Sequence, residues 1–458
     1  MNKPYPYLLM VVTISLTSIF SFPARAEDIF SEKIISMARS HNFSGSILVS
    51  FKGTILVDEG FGFADQEHRQ PITSDTVFPI ASITKLFVKH SIFLLQDKNQ
   101  IKPDDRLDRY LPEVLFSKDV TIKNLVQHTS GFHDLHNELP EFNNPAALRS
   151  PVGPEEIIIK INDLNSRSGL LFNPGTQRQY SNSNYLILAL VIERITGISL
   201  DSFLKTNIFD PFDMPDTGLY GDKSRWPGHA KGFFQRQGRT VYVPDFNFRY
   251  FWGSGNAYSK THDLLRYLQE TKKSLKPEFS RQLIQHTGYY LGYRSYLKFV
   301  PELDLAIILL SNNGQAELDT LANGIMTILT SRLESYQDEG SLDSYCGSYW
   351  SYRLRTPVEV RIWRMKDRLV LNGQRLLRID KNIFLMPDNG LASLTFDDKD
   401  HQPGTFLLND GGEVLSFRKR GSKTSSPAAA TTGFRPVYSQ ELRRRSWLPS
   451  SSSANFME

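Results

Sequence analysis

The chain has 458 residues, with 40% hydrophobic and 22% charged residues and 12% aromatics. That is a globular mix, long enough for two to four domains and a core that needs no disulfide, so wholesale disorder and a fibrous repeat are excluded. The net charge is +4, and falls to +2 without residues 1–26, so no basic nucleic-acid surface is implied.

The N-terminus reads as an export leader. Lys3 supplies a positive start, Tyr7 to Phe20 is an apolar run of 14 residues, and Ala24-Arg25-Ala26 fits a small-x-small cleavage pattern. The run is shorter than the ~20 residues that span a bilayer, which speaks against an anchor helix. The expectation is a cleaved signal over 1–26 and a periplasmic or secreted protein with no stable membrane span. The single Cys346 can form neither an intrachain disulfide nor a cysteine zinc cluster.

Beyond the leader, Asp28 to His41 has the spacing of an amphipathic helix. Gly45–Phe51 and Thr54–Val57 flank Lys52-Gly53 as a hairpin. Much later, Leu305–Leu310 reads as a buried strand and Asp319–Leu333 as a helix. Strands and a helix at both ends of residues 27–340 predict one sheet built from both termini. Between Ser341 and Arg420 short strand-like runs alternate with turn clusters such as Asn372-Gly373, which predicts a small antiparallel barrel-like domain. Residues 421–458, rich in Ser, Thr, Ala and Pro, read as a disordered tail.

Ser82-Ile83-Thr84-Lys85 opens a helix after Pro79. Residues i and i+3 share a helix face, and an amine there can take the proton of a serine hydroxyl. This S-x-x-K pattern also occurs at Ser202, Ser295 and Ser416, where it reads as surface serine and lysine. Around Ser82 the context differs. A helix N-terminus favours negative charge, and the apolar run from Leu86 onward would desolvate Lys85 and lower its proton affinity. Tyr180-Ser181-Asn182 offers a phenol and an amide, or simply caps a helix from Tyr185 to Ile195 that Gly197 ends. His286-Thr287-Gly288, followed by Tyr289, sits on or beside a strand. Its glycine allows close approach, and the next N–H could face an oxyanion.

Ordered as Ser82-x-x-Lys85, Tyr180-x-Asn182 and His286-Thr287-Gly288, the three elements resemble the serine β-lactamase and DD-peptidase superfamily. The likeness is to the group of class C β-lactamases, Streptomyces-type DD-carboxypeptidases and esterases. It extends to Thr76–Ala81, His128-Thr129-Ser130-Gly131 and Pro211–Thr217. The resemblance implies an α+β fold, a sheet flanked by helices with an all-helical lobe, and a covalent acyl-enzyme. It implies Ser82 as nucleophile, Lys85 as its base and Tyr180 in proton transfer. Asn182 would hold a substrate amide, and His286, Thr287, Gly288 and Tyr289 the opposite wall, with the N–H groups of Ser82 and Tyr289 as oxyanion hole. It implies no metal and no cofactor. The partner is a small peptide or ester, with peptidoglycan as one source.

Many β-lactamases have lysine where this chain has His286, a weaker anchor for a substrate carboxylate. The expected activity is therefore DD-carboxypeptidase-like hydrolysis of D-amino-acid peptides. The alternatives are a carboxylesterase or D-aminopeptidase of the same fold, or a cell-surface or cell-wall binding protein on an inactive scaffold. The cluster His128, His133 and His136 raises a metal site as a minor reading.

Overall fold

The computed structural model describes residues 24–139, 148, 152–221, 228–244, 247–274 and 284–333. Toward the C-terminus it describes 342–353, 356–366, 368–380, 383–386, 392–397, 405–410 and 413–419. The apolar part of the expected leader and the tail at 421–458 lie outside the described residues. Helix α1 spans Ala24–Ser40, so the expected cleavage pattern falls in its first turn. Among the described residues no helix is long and apolar enough to cross a membrane.

The central sheet has five strands: β1 (Gly45–Phe51), β2 (Thr54–Phe61), β3 (Ile284–Tyr290), β4 (Tyr293–Val300) and β5 (Leu305–Ser311), in the order β3-β4-β5-β1-β2. The two ends of residues 27–340 meet at its centre, where β1 pairs antiparallel with β5, Gly45 opposite Ser311 and Ser50 opposite Ala306. Lys52 and Gly53 both have positive φ (50° and 80°), which turns the β1–β2 hairpin tightly.

Every residue of β1 and β5 is buried. Their side chains alternate between two cores, because successive residues of a strand face opposite ways. Ile47, Val49, Leu305, Ile307 and Leu309 pack against α1 and the helix α7 (Leu318–Leu333). Leu48, Ile308 and Leu310 face the larger cluster, which also holds the helical lobe. That lobe includes α2 (Thr84–Asp97), the single turn α3 (Leu135–Glu138), α4 (Pro154–Ser168) and α5 (Asn182–Thr196). Helix α6 (Thr261–Ser274) also buries its apolar stripe, including Leu264, Leu265 and Leu268, in this cluster. Residues Ser183 to Ile192 of α5 are all buried, so this helix is the axis of the lobe, and Gly197 ends it in the left-handed conformation.

Eight strands follow: β6 (Gly347–Arg353), β7 (Thr356–Met365), β8 (Arg368–Leu371), β9 (Gln374–Asp380), β10 (Ile383–Met386), β11 (Ala392–Asp397), β12 (Thr405–Asp410) and β13 (Glu413–Lys419). They pair antiparallel in chain order, and β13 returns to β6. The strand-like runs Val358–Trp363, Arg368–Leu371, Ile383–Met386, Ala392–Phe396, Thr405–Leu408 and Glu413–Phe417 fall on six of these; β6 and β9 carry too many polar residues to read as strands. Tyr345, Tyr349, Phe384, Phe396, Phe406 and Phe417 fill the interior. Leu377 of β9 faces the other way and packs into the cluster that covers α1 and α7.

Candidate active site

The nucleophile candidate rides on a tied turn. Ala81 to Ile83 form a 3-10 turn that feeds α2. Ile80 N–H donates to Ala257 O at 2.9 Å, and the Ser295 hydroxyl donates to Ile80 O at 2.8 Å. The Thr84 hydroxyl donates to Ala81 O at 2.6 Å and accepts from Ala257 N–H at 2.9 Å. These bonds hold Ala81 at φ 47°, a left-handed conformation that is uncommon for a residue with a side chain. Ser82, next in line, is half-buried.

Lys85 is buried, one helical turn below. Its ammonium donates to Ser82 Oγ at 3.0 Å, to Asn182 Oδ1 at 2.8 Å and to the Ser254 carbonyl. These use all three of its N–H groups. The faces of Tyr180 and Tyr185 lie 5.0 and 5.7 Å from Nζ. Burial pulls the amine down to about 7, against the opposing pull of the Asp134 charge. A neutral amine keeps its two donors to Asn182 and Ser254 and turns its lone pair toward Ser82 Oγ.

The Tyr180 hydroxyl donates to the same Ser82 oxygen at 2.9 Å. Desolvation raises this phenol above its ordinary value, so it carries its proton at neutral pH. His128 brackets it. The two rings stack with centroids 4.5 Å apart at 26°, His128 O accepts from Gln179 N–H at 3.0 Å, and His128 Nδ1 accepts from Ser181 N–H at 3.2 Å. Burial first, and the charge of Lys85 second, hold His128 well below the ordinary histidine value.

Asn182 starts α5, three residues earlier than the apolar pattern indicated. Its backbone N–H donates to Asp134 Oδ1 at 3.2 Å, and its side-chain amide donates to both Asp134 oxygens at 3.1 Å. Asp134 and the Ser254 carbonyl carry no role in the sequence reading. They meet Lys85 and Asn182 only through long-range folding, and a backbone carbonyl has no residue signature.

The third element lies on β3, an edge strand. Gly288 faces the nucleophile turn, and its partner Ser295 bonds Ile80. By alternation His286 shares that face, since its partner Leu297 lies in the large cluster. Thr287 and Tyr289 show their side chains on the other face, where Arg294 stacks 3.8 Å over the Tyr289 ring. The Thr287 carbonyl accepts from His286 Nδ1 at 2.8 Å, so it points off the free edge of the sheet. With a period of two, the Tyr289 N–H points off the same edge. Thr287 and Tyr289 thus present backbone to the groove, and His286 its ring. Desolvation and the Lys85 charge lower His286 to about 4, so it is neutral at pH 7.

Two of the other S-x-x-K matches, at Ser202 and Ser295, do not assemble. Lys205 pairs with Asp210 at 2.6 Å, and Lys298 bonds Gln285 at 2.9 Å while Ser295 serves Ile80. The three histidines of the possible metal cluster are engaged separately. His133 bonds Glu138 at 2.6 Å, His136 bonds Tyr250 O at 3.1 Å, and His128 holds the tyrosine loop. Among the described residues, Asp65, Glu67 and His68 do come together as metal-type ligands. There the Lys231 ammonium sits 2.5 Å from Asp65 Oδ2, so the local negative charge is already met.

A Beta-lactamase family model matches residues 33–283. The chain is 31% identical over 246 residues to penicillin-binding protein 4* of Bacillus subtilis (strain 168), covering 51% of this chain and 53% of that protein. It is 25% identical over 275 residues to the teichoic acid D-alanine hydrolase of Staphylococcus aureus (strain MRSA252), covering 58% and 66%. The match thus spans about half to two thirds of the length of these curated relatives. The D-amino acid amidase of Ochrobactrum anthropi SV3 superposes with a TM-score of 0.58 at 19% identity, over 67% of this chain and 99% of that one, and shares the mixed α/β fold.

Proposed function

The chain belongs to the Beta-lactamase family of serine hydrolases, and on that premise we propose that it cleaves D-amino-acid peptides through an acyl-Ser82 intermediate. The observation that carries this is the placement of Ser82 Oγ between Lys85 Nζ at 3.0 Å and the Tyr180 hydroxyl at 2.9 Å.

In this mechanism neutral Lys85 takes the Ser82 proton as Oγ attacks the scissile carbonyl. The oxyanion that forms is met by the N–H groups of Ser82 and Tyr289, each worth about 10²–10³ in rate in hydrolases of this kind. Tyr180 gives its proton to the leaving nitrogen or oxygen, and the proton held by Lys85 restores it. Asn182 keeps Lys85 aimed; its NH₂ is spent on Asp134, so the second lone pair of its carbonyl oxygen is what it has left for a substrate N–H. Water then enters where the leaving group left, gives a proton back through Tyr180 and Lys85, and releases Ser82.

A second reading, hydrolysis of D-amino-acyl esters or amides, draws on neutral His286, which offers no permanent charge to a terminal carboxylate. The names of two relatives, a teichoic acid D-alanine hydrolase and a D-amino acid amidase, lean the same way. Turnover of a D-Ala-D-Ala peptide, a D-alanyl ester and a D-amino-acid amide, with Ser82→Ala as control, separates the two. Peptide cleavage that depends on Ser82 supports the first reading; ester or amide cleavage alone replaces it with the second.

The leader pattern supports export to the periplasm or beyond the cell, and residues 341–420 are proposed as an accessory domain.

A further inference from the structure

Asp134 receives more hydrogen bonds than a helix cap needs. It is the N-cap of α3, and for that role the bond from His136 N–H at 3.1 Å suffices. Yet its carboxylate also accepts from Asn137 Nδ2 at 2.6 Å, from Asn182 N–H at 3.2 Å, and twice from Asn182 Nδ2 at 3.1 Å. It is buried, at 4% exposure. With both oxygens occupied by the amide NH₂, the Asn182 carbonyl oxygen has one direction left, toward Lys85 Nζ at 2.8 Å.

We infer that Asp134 is a positioning residue of the reaction, acting on Lys85 through the Asn182 amide. The inference rests on the acyl-Ser82 reading. A carboxylate fixes an amide, and the amide oxygen fixes the amine that must face Ser82. The carboxylate also adds the negative charge that offsets part of the desolvation of Lys85. The other titratable groups around that amine are Tyr180 and Tyr185, whose faces flank it, and His128, His136 and His286. Burial holds all three histidines low and both phenols high; it also raises Asp134, against the hydrogen bonds from Asn182 and His136 that favour its carboxylate form, and the charge of that carboxylate opposes the desolvation of Lys85.

The test is the rate at which a fluorophosphonate labels Ser82 in the full chain, from about pH 5 to about pH 9. Four proteins are compared: wild type, Asp134→Ser, Asp134→Asn, and Asp134→Ser combined with Asn182→Ala. Serine keeps a helix cap but removes the charge and the reach to Asn182. Asparagine keeps the size, removes the charge and turns one of the two accepting oxygens into a donor. In wild type the rate rises with pH as Lys85 loses its proton. The inference expects Asp134→Ser to label at least about tenfold more slowly, since a misplaced base costs one to two orders of magnitude. In Asp134→Asn the acid limb moves to lower pH, because the charge that favours the ammonium is gone. Adding Asn182→Ala to Asp134→Ser brings little further loss, as expected for residues acting in series.

Wild-type rate and an unmoved acid limb in a folded Asp134→Ser protein would reduce Asp134 to a helix cap and overturn the inference alone. A wild-type chain that takes no label overturns the acyl-Ser82 reading and this inference with it.

Discussion

A β-carbon on Gly288 would lie 2.5 Å from the carbonyl oxygen of Ile80 and would also strike the Ser295 hydroxyl. The edge strand and the nucleophile turn are therefore in backbone contact, and glycine is required by space, not by φ. Gly288→Ala forces β3 away from Ser82. Overpacking of this kind costs about 1–3 kcal/mol. We expect a lowered melting temperature and a much larger loss of turnover, because the Tyr289 N–H moves with the strand.

Tyr180→Phe removes the hydroxyl that donates to Ser82 Oγ and keeps the ring that stacks on His128. Activity should fall by about 10²–10⁴, the usual worth of a positioned proton-transfer group, with thermal stability nearly unchanged. A matched loss of stability and activity would assign the tyrosine to packing alone.

The pairing of Ser82 with Lys85 was legible in the sequence because it rests on local periodicity, one helical turn. His286-Thr287-Gly288 could be placed on or beside a strand, without its alternation. The sheet built from both ends was legible because Leu305–Leu310 is a continuous apolar run and Gly45–Phe51 and Thr54–Val57 are short, largely apolar runs around the Lys52-Gly53 turn. What was not legible depends on distance along the chain. The Ser254 carbonyl reaches Lys85 across 169 positions. Asp134 shared a stretch with three histidines that suggested metal, and only the fold shows it turned toward Asn182. Strand alternation also corrects one detail, since Thr287 offers the groove its backbone and not its side chain.

Lys85 sets the pH behaviour. Its folded value of about 7 lies below its ordinary 10.5. As a base it works when neutral, so kcat/KM should rise through pH 7. Arginine cannot lose its proton, and Lys85→Arg should abolish that limb together with activity. Stability follows the same group. Between pH 7 and 10.5 the unfolded chain binds the proton that the folded chain has released, so the penalty of burying the ammonium, full below pH 7, fades as pH rises. Wild type should gain melting temperature relative to Lys85→Met between pH 7 and pH 9. A constant difference would show that Lys85 stays protonated.

His286 governs the charge of the groove's far wall. His286→Lys replaces a neutral imidazole with an amine whose ordinary value lies well above pH 7. The ratio of D-Ala-D-Ala peptide to D-alanyl ester turnover should rise by about tenfold, the effect of one added ion pair of about 1.4 kcal/mol. An unchanged ratio would mean that the substrate carboxylate, if present, does not lie against β3.

The central claim is that Ser82 carries the acyl group. Intact-mass measurement after exposure to a fluorophosphonate and to a penicillin, followed by peptide mapping, tests it directly. The account predicts one adduct per chain on the Ser82 peptide, absent from Ser82→Ala and slowed in Lys85→Ala. An adduct that persists in Ser82→Ala would contradict it and place the nucleophile elsewhere.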